Sequence, residues 1–118
     1  MKLYHGTDED SAQSLVRGER LHAAKAAARK IDGAAGFFLA TQHSDAEFFA
    51  LRRGRGAVIQ YNLSKVALKK LQAAGAVTRP IPMGARSPKF AGDELFVPSA
   101  AFEQFNDLLD QGEIKVST

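Results

Sequence analysis

The chain has 118 residues, with 16 Lys+Arg against 13 Asp+Glu for a net charge of +3, 45% hydrophobic and 25% charged residues, and no Cys. That is the size of one core, a single domain spanning residues 1–118, and the composition excludes disordered, collagen-like and coiled-coil chains. No run reaches the ~18 apolar residues of a membrane span, Met1–His5 carries no apolar signal core, and the three scattered His (His5, His22, His43) without Cys exclude disulfide frameworks, thiolate catalysis and zinc ribbons. We therefore expect no metal, no membrane partner, and a cytoplasmic address, whether native or in a cell into which other machinery delivers the protein.

In chain order, Lys2–His5 alternates polar and apolar residues as a short edge-type strand. Thr7 is placed to cap a helix through about Arg17, with Asp8, Glu9 and Asp10 in its first turn and Leu15 and Val16 facing inward. The Ala- and base-rich stretch His22–Lys30 favours helix by propensity, and Gly33 and Gly36 bracket the turn into a buried strand at Phe37–Thr41. Ser44-Asp45-Ala46-Glu47 reads as a capping box opening a helix to about Arg53. Ala57–Leu63 is the clearest strand, and Ser64 caps a helix through Ala74 whose Val66, Leu68 and Leu71 are expected inside. Residues 75–92, with Pro80, Pro82, Pro88 and several glycines, read mostly as loop. A strand at Glu94–Val97, a helix over 99–110 with an apolar stripe of Phe102, Phe105, Leu108 and Leu109, and a closing strand at Glu113–Val116 complete an α+β pattern without a G-x-G-x-x-G turn.

Charge is segregated along this order. Residues 1–90 carry a balance of +8 and residues 91–118 one of −5, and the stretch 48–92 holds nine basic residues and no carboxylate. Such a distribution suits a phosphate-bearing ligand, whether nucleotide or nucleic acid. Several residues carry chemistry that an ordinary core does not require. His5-Gly6-Thr7 puts polar groups beside a glycine that admits close approach to the backbone. Phe37, Phe38, Phe48 and Phe49 are either a plain aromatic core or rings that hold a planar heterocycle. Asp93 and Glu94 open a short apolar strand just after the long loop, as a solvated strand end or a carboxylate at a cleft mouth.

The order of these pieces resembles a family. Leu3-Tyr4-His5-Gly6-Thr7 is similar to the first motif of the ADP-ribosyltransferases of the diphtheria-toxin and poly(ADP-ribose) polymerase type, the His-Tyr-Glu group, in a compact bacterial form. The second motif, Gly-x-Tyr-Phe-Ala followed by a Ser, resembles Gly36-Phe37-Phe38-Leu39-Ala40 with Ser44, and Phe49 falls where a second stacking aromatic is placed. The third, a Glu opening an apolar strand, resembles Glu94-Leu95-Phe96-Val97-Pro98. The resemblance implies two short packed antiparallel or mixed sheets around an NAD cleft with flanking helices. It implies that His5 and Glu94 are catalytic, His5 holding an NAD ribose hydroxyl and Glu94 the nicotinamide ribose. Gly6 and Thr7 would line the cofactor, Phe38 and Phe49 sandwich the nicotinamide, and Ser44 bond its carboxamide. The reaction implied is mono-ADP-ribosyl transfer from NAD to a macromolecular acceptor, protein or nucleic acid, by a toxin or effector that has an antitoxin or immunity partner.

Two departures qualify the match. Phe38 stands where the group has Tyr, keeping the ring and losing the hydroxyl, and Gly92 stands where arginine-modifying relatives carry an acidic or amide side chain, so arginine is not the expected acceptor. The loop 84–92, with Arg86 and Lys89 and with Asp93 following, is placed as the acceptor loop and suits an acidic or phosphate-bearing acceptor. Arg17, Arg20, Arg52, Arg53 and Arg55 are the candidates for NAD's pyrophosphate. The competing readings are an NAD glycohydrolase, and a non-catalytic module that binds NAD or, through its basic stretch, nucleic acid.

Overall fold

The computed structural model describes residues 1–22, 36–51, 56–81 and 92–118. Six strands form one sheet in the order β4-β5-β2-β1-β3-β6, every neighbouring pair antiparallel. They are β1 (Lys2–Asp8), β2 (Gly36–Ala40), β3 (Gly56–Leu63), β4 (Val77–Pro80), β5 (Asp93–Pro98) and β6 (Ile114–Ser117). The described helices are α1 (Glu9–Val16), α2 (His43–Leu51), α3 (Lys65–Ala73) and α4 (Phe102–Asp110), the last entered through a 3₁₀ turn at Ser99–Ala101. The class is α+β, as composition and pattern indicate. The arrangement of two packed sheets is corrected: β1 pairs on both of its edges, with β3 from Lys2↔Asn62 to Asp8↔Gly56 and with β2 at Tyr4↔Ala40, which joins the two halves into a single sheet.

Strand alternation assigns the two faces. Leu3, Phe37, Leu39, Ile59, Tyr61, Leu63, Leu95, Val97 and Ile114 project to one side, where Ala12 and Leu15 of α1, Ala67 and Leu71 of α3, and Phe102, Phe105 and Leu108 of α4 cover them. The other side holds a smaller cluster in which Ala40, Ala46 and Ile81 pack with Tyr4, Phe49 and Val58 beneath α2. Helix α2 lies so close to β1 that a Cβ at Gly6 would overlap the Ala46 carbonyl oxygen. The absent side chain at Gly6 is thus what lets α2 lie on the sheet.

Local chemistry sets the ends of these elements, with some shifts from the expected pattern. Asp8, not Thr7, caps α1: its Oδ1 accepts from the Ser11 amide at 2.7 Å, whereas Thr7 stays in the strand and is buried. The cause is that β1 runs on to Asp8 because its ladder with β3 continues that far. Ser64 caps α3 through the Ala67 amide, and its hydroxyl donates to Glu113, tying α3 to the entry of β6. Val66 is exposed and Ala67 takes the inward position in its place. Residues 77–80 form an edge strand, where Pro80 is tolerated because the outer edge has no ladder to supply. Of the helix expected over His22–Lys30, residues 23–30 lie outside the described residues.

Tyr61 is the least comfortable residue of the core. It is wedged edge-on against Phe37 and Phe105, its hydroxyl is buried without a hydrogen-bond partner among the described residues, and burial together with the charge of Glu19 pushes its phenol far above the ordinary value. Tyr61→Phe removes only that unsatisfied hydroxyl and should stabilise the domain by about 1 kcal/mol in urea unfolding. Gly6→Ala should destabilise it by about 1–3 kcal/mol, because α2 must lift to admit the methyl group.

Candidate functional site

The best-defined polar group in the structure is Glu94. It opens β5 opposite Ala40, is 3% exposed, and accepts at Oε2 from Nε of Arg79 at 2.9 Å. Arg79 reaches it because the β4–β5 register sets the two residues directly across from each other. The guanidinium lies 4.6 Å from the Phe96 ring centre and 6.0 Å from that of Phe38. Phe38 and Phe96 face each other across β2 and β5 with centres 5.1 Å apart. Glu94, Arg79, Phe38 and Phe96 therefore share one face of the sheet, a carboxylate paired with a cation that lies over two aromatic rings. The buried carboxylate is compensated by an arginine whose side chain is itself 32% exposed. The Nη2 atom of Arg79 is buried and has no hydrogen-bond partner among the described residues.

The second part of the site is the seam between β1 and β2. These strands pair at Tyr4↔Ala40 alone among the described residues, and beyond that point a side chain replaces the backbone ladder. His5 Nδ1 lies 2.8 Å from the Phe38 carbonyl oxygen, and the imidazole stacks on Phe37 with ring centres 4.2 Å apart. A carbonyl only accepts, so Nδ1 carries the proton, and in the neutral ring Nε2 is the acceptor nitrogen. Alternation sends His5 to the face of Leu3 and Phe37, and Glu94 to the face of Phe38. The structure thus joins His5 to Phe38 through the Phe38 backbone and joins Glu94 to the Phe38 side. Thr7 lies further along β1, buried, with its hydroxyl 3.5 Å from Asp8 Oδ2.

Helix α2 supplies the third part. It begins at His43, one residue before the expected cap, so Ser44 stands exposed in its first turn and Glu47 pairs with His43 at 3.2 Å. Phe49 is half-buried in the smaller cluster with Tyr4 and Val58, its ring 5.9 Å from that of Phe48. Asp45, which the capping pattern places as an ordinary first-turn acid, is instead 4% exposed, and its Oδ2 accepts from the Gly92 amide at 2.9 Å. Beside it the Thr41 hydroxyl accepts from the Asp93 amide at 3.0 Å, and the Thr41 amide donates to the Asp93 carbonyl at 2.9 Å. The β2–α2 turn therefore grips Gly92 and Asp93, the two residues that lead into Glu94. A Cβ at Gly92 would come within 2.6 Å of Thr41 Oγ1 and 2.7 Å of Gln42 Cγ, so position 92 is crowded against the β2–α2 turn. Asp93 is exposed, on the opposite face from Glu94.

Arg86 and Lys89, expected in an acceptor loop, and Arg52, Arg53 and Arg55, expected near a pyrophosphate, lie outside the described residues. Arg17 is exposed at the end of α1, and Arg20 is paired at 2.6 Å with Asp110 of α4. An open hollow lined by His43, Glu47, Leu51 and Val58 lies between α2 and β3, away from Glu94. Among the described residues no group of three or more His, Asp or Glu is set to hold a metal ion, and no helix is long and apolar enough to cross a membrane. Comparison with protein-family models, with curated proteins and with solved structures returns no match.

Arg79 and Asp45 carry no motif. Arg79 is legible only as one of nine bases in the acid-free stretch, and Asp45 only as the second residue of a capping box. Asp45→Ala should cost about 1–3 kcal/mol in chemical unfolding, since it leaves the Gly92 amide without its acceptor and removes the tie between α2 and β5.

Proposed function

We propose that the chain is an NAD-dependent ADP-ribosyltransferase, releasing nicotinamide and transferring ADP-ribose to a macromolecular acceptor. The observation that carries this reading is Glu94, a carboxylate 3% exposed near the start of a strand and fixed by an arginine whose guanidinium lies over the Phe96 ring. Cleavage of the bond between the nicotinamide nitrogen and the ribose carbon leaves positive charge on the sugar. A preorganised carboxylate in a site of low dielectric favours that transition state over the ground state. The electron pair of the broken bond stays with nicotinamide, which leaves neutral, and the acceptor's nucleophile attacks the sugar carbon.

The surroundings of Glu94 suit this substrate. The rings of Phe38 and Phe96 offer faces to a cationic heterocycle, and Phe38 fills this role without the hydroxyl of a tyrosine. His5, whose Nδ1 is held by the Phe38 carbonyl, lies on the opposite face of the sheet from Glu94, so the reading rests on Glu94 and its arginine and not on a joint contact of His5 and Glu94 with one ribose. The basic excess of residues 1–90 favours the doubly anionic pyrophosphate of a dinucleotide.

Nicotinamide release from NAD, measured with cell lysate present, checks the assignment. Glu94→Gln should lower the rate by about 100- to 1000-fold with little change in Tm, because Arg79 is partly exposed and solvent takes over its charge. Absence of nicotinamide release by the wild type would overturn it. With labelled NAD, label removed by protease or by nuclease identifies a protein or nucleic-acid acceptor, and free ADP-ribose alone identifies water.

A further inference from the structure

We propose that Arg79 is a phosphate-binding residue: with Nε committed to Glu94, the rest of its guanidinium takes an oxygen of the phosphate esterified to the ribose that Glu94 contacts. The inference rests on the reading of Glu94 as the ribose-binding carboxylate. Three observations carry it. First, the pair with Glu94 is made through Nε at 2.9 Å, while Nη2 is buried and unpartnered among the described residues. A guanidinium offers five donors in a rigid fork, and a buried charged donor without an acceptor is costly to keep. Second, the fork is held in place, 4.6 Å from the Phe96 ring centre and 6.0 Å from that of Phe38, so it is preorganised for a planar, two-pronged contact. Third, Arg79 lies within the stretch 48–92, which has nine bases and no carboxylate, so its own segment supplies no oxyanion to compete for the fork.

Phosphate is the anion that matches all three. Arg pairs with it through parallel N–H bonds, and one arginine bridging a carboxylate and a phosphate holds both ends of a ribose 5′-phosphate at once. In ADP the corresponding group is the β-phosphate, which AMP lacks.

Calorimetric titration with ADP and with AMP tests the assignment. Arg79→Lys keeps a cation beside Glu94 and loses the fork; Arg79→Gln combined with Glu94→Gln removes both charges together, so neither leaves a lone buried charge. Both variants should weaken ADP binding by about tenfold or more and leave AMP binding unchanged. ADP affinity unchanged in both variants, or no binding of ADP by the wild type, would overturn the proposal. Arg79-dependent ADP binding by a protein that releases no nicotinamide upholds the phosphate site and removes the transferase reading. Nicotinamide release with ADP affinity insensitive to Arg79 does the reverse.

Discussion

The site depends on how closely α2 lies against β1. That approach is possible because Gly6 presents no side chain to the Ala46 carbonyl. With α2 seated there, Ala46 closes the smaller cluster with Ala40 and Ile81, and Asp45 is turned inward beside the start of β5. Asp45 and Thr41 then hold Gly92 and Asp93, which fixes where Glu94 enters the sheet. A backbone contact between one helix and one strand is thereby transmitted to a carboxylate on another strand. Gly6 also belongs to the His-Gly-Thr segment in which a ligand-contacting role is proposed, so the same missing side chain serves the packing whether or not a ligand approaches it.

The second organising feature is electrostatic. Burying Glu94 would be prohibitive without a partner, and Arg79 supplies one at 2.9 Å from a neighbouring strand. The guanidinium lies over the two phenylalanines while the Arg79 side chain keeps 32% of its surface in solvent. A buried carboxylate held in this way is suited to stabilising positive charge, and the arginine that holds it has donors beyond Nε.

Much of the local structure was legible in the sequence. Ile59, Tyr61 and Leu63 alternate as a half-buried strand should, the Phe102-Phe105-Leu108 stripe lies against the core, and Ser64 caps α3. The misreadings have physical causes. Pro80 and Pro82 made residues 77–80 look like loop, whereas an edge strand accepts a proline. Thr7 looked like a cap, but ladder pairing with β3 carried the strand one residue further and passed that role to Asp8. Ser44 looked like the start of a helix that in fact begins at His43. Two sheets were expected where the Tyr4↔Ala40 pairing makes one.

The candidate site divides along the same line. His5, Gly6, Phe38 and Glu94 could be picked out because their residue types and chain order carry the signal. Arg79, Asp45 and Phe96 could not, because their significance lies in register and packing between segments distant in the chain. The sequence by itself determined the α+β class, the strands and helices with strong periodicity, and the pair of carboxylates, Asp93 and Glu94, that opens an apolar strand, since each depends on neighbouring residues. Only the tertiary structure decided that Arg79 faces Glu94, that Asp45 binds the amide before it, and that β1 joins both halves of the sheet. Those facts depend on which strands lie side by side and in what register, and no local pattern encodes that.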